Sequence, residues 1–181
     1  MNTESKTKTR TQQILNIMHG FAWIAFIGYA IQAGAILVSY IVSCIYPAAA
    51  RHLYTGFIDL YSLRGLSMAN YTAYVSFVVV ISAMKSYVWL LVTQAMKNIN
   101  LINPFKMEVV RILERISYVL LEIWIIGAIG ESYAVRILNI TTGLLKDSDA
   151  QEFLFMAGLI FIISQIYKRG VEIQSENDLT V

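Results

Sequence analysis

The stretch Gly20–Ala50, GFAWIAFIGYAIQAGAILVSYIVSCIYPAAA, holds no charged residue. At about 1.5 Å per helical residue, roughly 20 residues cross the 30 Å of a bilayer's hydrocarbon, so this stretch is long enough to span it. A cleaved secretory signal also begins with basic residues, here Lys6, Lys8 and Arg10, before an apolar run. Its apolar core covers only about 7 to 15 residues, however, and length decides for a membrane span. The composition agrees: 57% of the 181 residues are hydrophobic, 14% are charged, and the mean hydropathy is +0.58. A soluble fold of this size would lack polar surface.

Three further apolar runs follow. Tyr71–Met96 is interrupted only by Lys85, Ile116–Gly130 only by Glu122, and Phe153–Tyr167 is short. The reading is an all-α, integral membrane four-helix bundle in one domain, 1–181. Its spans lie near 20–46, 71–96, 116–133 and 151–168, with a tail at 169–181. Ser148 and Gln151 in "SDAQ" predict a capping box at the start of the last helix. Asn103 and Pro104 predict the N-cap and first turn of the third, which then enters lipid after two or three turns.

Orientation follows from the basic residues. Lys6, Lys8, Arg10, Lys97, Lys106, Arg111, Arg115, Lys168 and Arg169 flank one side, against Arg51, Arg64, Arg136 and Lys146 on the other. The positive-inside rule places the richer side, and both termini, in the cytoplasm of a multi-pass protein of the cell (inner) membrane. Small residues in the first helix, among them Gly28 and Gly34, suit close helix packing.

Lys85 lies about 20 Å from either end of its run, too deep to reach water easily, so it faces the bundle interior. Glu122 lies perhaps 7 Å shallower, and the two are expected to approach each other. Gln32 and Gln165 are candidate polar neighbours. Tyr118 belongs with Arg111, Arg115 and Glu122, spaced four, three and four along one face of the third helix. The pair reads either as a structural hub that fixes helix register or as a proton, ion or ligand site, since intramembrane ionisable residues mark function by default.

Other chemistry is not signalled. The single Cys44 excludes an internal disulfide, His19 and His52 lack metal-ligand spacing, and Asp147, Asp149 and Glu152 lack the glycine and closing glutamate of a calcium loop. No phosphate-loop, hydrolase or zinc-protease motif appears. No cofactor or metal is expected, and a net charge of +2 argues against direct nucleic-acid binding.

"NPF" at Asn103–Phe105 and "YKRGVEIQSENDLTV" at Tyr167–Val181 together resemble the bacterial membrane family called domain of unknown function 2975. The resemblance implies a small integral membrane protein with no assigned activity, often encoded beside a helix-turn-helix regulator of the Cro/C1 type. It supplies no catalytic residues. The expectation is therefore a non-enzymatic interaction protein in the bilayer, able to form homo-oligomers. Its cytoplasmic docking surface comprises Asn103, Pro104, Phe105, Arg111, Arg115, Glu172, Glu176, Asp178, Leu179 and Val181. The tail's Glu172, Glu176 and Asp178 are expected to meet Lys106, Arg111 and Arg115. The alternative is a small transporter or channel subunit using Lys85 and Glu122.

Overall fold

The computed structural model describes residues 10–48, 64–65, 67–99, 105–138 and 147–178. They form four long α-helices: α1 Arg10–Ile45, α2 Met68–Asn98, α3 Met107–Tyr133 and α4 Asp147–Asp178. A π-helical turn, Ala134–Leu138, extends α3. No strand occurs among the described residues.

Local chemistry sets the ends. α1 stops at Ile45, two residues before Pro47, whose ring disfavours helical backbone in the residue preceding it. At the start of α2, Ser67 is extended and its hydroxyl accepts from the Asn70 N–H at 3.4 Å, a standard N-cap. α3 does not start at Asn103–Pro104. Lys106 is its N-cap, extended and without a side-chain bond, and its carbonyl accepts from Val109 and Val110. Phe105 precedes this cap with its ring laid against α4. Asn103 and Pro104 lie outside the described residues. α4 opens at Asp147, which puts Ser148 inside the first turn instead of at the expected cap.

The expected tail is also corrected, since helix runs on through Asp178. Gly170 sits within this helix. The following residues include good helix formers, and Arg169 bonds Glu172 at 2.8 Å across one turn.

α1, α2 and Gln151–Asn177 of α4 are long and apolar enough to cross a membrane, with mean hydropathies of 1.9, 2.0 and 1.4 in their best windows. α3 is not among them: it carries Glu108, Arg111, Glu114, Arg115, Glu122 and Glu131. The outer surface is that of a membrane protein. Phe21, Ile24, Ile31, Phe155 and Ile166 are each at least 66% exposed, which suits lipid and not water.

α1 packs on α2, α2 on α3 and α3 on α4. Cross-helix bonds fix the register. The Ser86 hydroxyl donates to the Phe26 carbonyl (3.1 Å), Tyr40 pairs with Thr72 (3.0 Å), and Tyr133 donates to Asn70 Oδ1 (3.0 Å). Gln165 donates to Glu114 Oε1 (3.1 Å). Each neighbour therefore runs antiparallel to the last. The start of α1, the end of α2, the start of α3 and the end of α4 share one end of the molecule. That end is rich in Lys and Arg, and the opposite end is tyrosine-rich. Two apolar clusters hold the interior, Ile36–Tyr71–Tyr74–Val75–Ala134 near the tyrosine end and Ile81–Leu91–Ile116–Val119–Leu120–Ile123–Ala157 at mid-length.

Candidate functional site

Two regions carry chemistry: the middle of the helix assembly and its basic end. In the middle, Lys85 is half-buried and lines a cavity of about 310 Å³ to which all four helices contribute. Tyr29, Trp89, Leu120, Ile123 and Phe153 form its mainly apolar wall, with Glu152 as the one carboxylate among the described residues. The Lys85 ammonium stands 5.2 Å from the centre of the Phe153 ring, within range of a cation–π attraction. A mostly apolar space with few polar groups is the usual form of a small-ligand pocket.

Glu122 does not join Lys85 there. It is exposed and lines a separate groove of about 500 Å³ with Met84, Tyr87, Arg111, Glu114, Arg115 and Tyr118. The reason is rotational. One step along a helix turns a side chain by about 100°, so Met84 and Tyr87 of α2 face the groove while Lys85, Val88 and Trp89 face the cavity. On α3, Ile116, Leu120 and Ile123 face the cavity and Glu122 turns away. The packed seam of α2 and α3 lies between the two charges, and the expected approach does not occur.

Gln32 is half-buried on α1 and is not part of the cavity wall. Gln165 does carry a polar contact between helices, but its partner is Glu114, with a second bond to Ser164 Oγ at 3.3 Å. Glu114 is the residue that sequence reasoning missed. The available signal was that Gln165 is one of few polar residues in the α4 apolar run and needs a partner near the basic end. Tyr118 is 54% exposed and packs its ring 6.3 Å from that of Phe161.

At the basic end, the Phe105 ring lies 5.1 Å from the Tyr167 ring and directly over Gly170. A Cβ at position 170 would stand 2.6 Å from two ring carbons, so glycine is required here by the close approach. Phe105 and the end of α4 thus meet. Beyond this brace one of the expected acidic residues takes a different partner. Glu172 bonds Arg169, not Lys106, Arg111 or Arg115. This bond, and the charges of Glu172 and Glu176, raise the Arg169 pKa above its already high value. Arg115 stacks on the Tyr87 ring at 5.7 Å, and Arg111 is exposed. Asp178 closes the helix, while Leu179 and Val181 lie outside the described residues.

Between the start of α1 and the end of α2 a polar cavity of about 540 Å³ is lined by Gln12, Asn16, His19, Lys97, Asn98 and Lys106, among others. The Trp23 indole donates to His19 Nε2 at 3.2 Å. Among the described residues no group of three His, Cys, Asp or Glu side chains could hold a metal ion. Compared with family models, curated proteins and solved structures, the chain matches none.

Proposed function

We propose that this is a non-enzymatic protein of the bacterial inner membrane. Its four helices cross the bilayer with both termini in the cytoplasm, and it acts as a regulatory partner of a cytoplasmic protein docked at its basic end. The observation that carries the reading is the Phe105–Gly170 brace. It holds the last turns of α4, with Ile173 48% exposed and Glu172 and Glu176 beside it, as a presented helix end. A helix end fixed by packing loses less entropy on docking than a loose tail would. The concentration of Lys and Arg around this end supports its cytoplasmic side. A helix-turn-helix regulator is the partner class that the family resemblance implies. Capture from native membranes by the full chain and by a chain lacking residues 170–181 tests the reading. The regulator should be lost with the truncation, and an identical captured set would overturn docking.

The central cavity supports a second reading, a small transporter or channel subunit, with Glu152 in place of Glu122 as the carboxylate near Lys85. Four helices without an inverted repeat would need to oligomerise for that role. Flux through liposomes holding Lys85→Met decides it, since unchanged flux in an assembled variant removes the reading.

A further inference from the structure

α3 has three sides. One packs on α2 and one on α4; along the third, Arg115 leans on Tyr87 of α2 and Tyr118 on Phe161 of α4, while its outer surface is open among the described residues. The open side carries Arg111, Arg115, Tyr118, Glu122, Ile125 and Ile129, all exposed, at spacings of four, three, four, three and four. That is an unbroken heptad stripe, the pattern by which helices pack side by side in a left-handed pair. Glu122 lies roughly 22 Å from Met107 and 16 Å from Tyr133 at 1.5 Å per residue, which is deep in a spanning helix. An ionisable side chain at that depth is rarely left against lipid and belongs against protein. Among the described residues it lies in the groove walled on one side by Met84 and Tyr87 of α2, and the outer side of that groove is open.

We infer that the Arg111–Ile129 stripe of α3 is a homodimer interface in which each copy covers the other's Glu122. The inference rests on α3 crossing the bilayer. Two copies in one membrane have the same orientation, so a twofold axis along the membrane normal brings equal depths together. Under that symmetry the stripe suits itself. Ile125 and Ile129 meet their own copies in the apolar depth, and Arg111 and Arg115 stay near the water, which screens their repulsion. The Tyr118 hydroxyl is a donor one turn from the Glu122 acceptor, so Tyr118 of one copy can donate to Glu122 of the other. A polar residue at one heptad position sets register and oligomeric state, which gives Glu122 a role that an isoleucine would not fill.

Cysteine cross-linking in native membranes tests this, with Cys44→Ser as the background because Cys44 is the only native cysteine. Tyr118→Cys, Ile125→Cys and Ile129→Cys should each give a disulfide species of twice the 20.4 kDa chain mass. Ile24→Cys and Ile31→Cys, on the exposed face of α1, should not. Equal cross-linking on both helices, no doubled species from α3, or a species of another mass would overturn the homodimer. In liposomes, energy transfer between labelled copies should show Glu122→Leu weakening association about tenfold while Glu122→Gln keeps it. Equal association in both variants would overturn the role of Glu122. Labelling of Ile125→Cys by a membrane-impermeant maleimide would overturn the crossing of α3 itself, a failure distinguishable from loss of the dimer alone.

Discussion

α1 and α3 are both long helices in the same assembly, and they bury very different shares of their residues. α1 runs 36 residues with no charge after Arg10 and buries only Ala22, Ile36 and Ser43 below the surface. α3 runs 27 residues, carries six charges, and buries Val109, Val110, Ile116, Ser117, Val119, Leu120, Ile123, Gly127 and Gly130. An apolar side chain on α1 gains little from protein contact, because lipid tails are as apolar as the protein interior. The buried side of α3 is a packed core, and its open side is too polar for lipid. High hydropathy therefore marks the helix that does least, and the less apolar helix is where packing and recognition converge.

The largest test of that contrast is truncation on each helix. Ile123 is fully buried, and Ile123→Ala should cost about 2–5 kcal/mol by reversible unfolding in mixed micelles, the usual range for a large-to-small change in a packed core. Ile24 is 69% exposed, and Ile24→Ala should stay within about 0.5 kcal/mol of the parent. Similar losses at both positions would break the comparison. Next in size is Gly170→Leu, which forces Phe105 off α4 and should destabilise by about 1–3 kcal/mol. Adding Phe105→Ala makes room and should recover part of the loss in the same thermal melt, an outcome that a general helix-propensity effect would not produce. Smaller again is Gln165→Leu, which strips Glu114 of its interhelical donor. About 0.5–1.5 kcal/mol is expected, in line with polar contacts between membrane helices.

Apolar run lengths made α1, α2 and the apolar part of α4 legible in the sequence, because a 30 Å solvent slab imposes a length that few other structures need. Phe105 and the segment after Tyr167 also stood out as related before any geometry was known. The continuation of α4 past Arg169 is not legible from the apolar run, which closes at Tyr167. Only the ring lying on Gly170 shows why a glycine belongs mid-helix. Glu114 went unread for a different reason: Gln165 stands out as a polar residue needing a partner, but that partner sits 51 residues away and local sequence does not single out Glu114.

The smallest expected effect concerns Lys85 and Glu122, the two charges that interrupt otherwise apolar runs. Sequence spacing fixes their depth but not their azimuth, and azimuth depends on which side of the α2–α3 seam each residue takes. The structure puts Lys85 in the central cavity beside Phe153 and Glu122 in the groove with Arg115 and Tyr118. Each charge on its own can matter, Lys85 to the cavity and Glu122 to the open face of α3, yet the two should not feel each other. A double-mutant cycle of Lys85→Met and Glu122→Gln should give a coupling within about 0.5 kcal/mol, the additivity expected of residues without shared partners. A coupling above about 1 kcal/mol would mean that the seam does not separate them. The central cavity and the α3 stripe would then be one site instead of two.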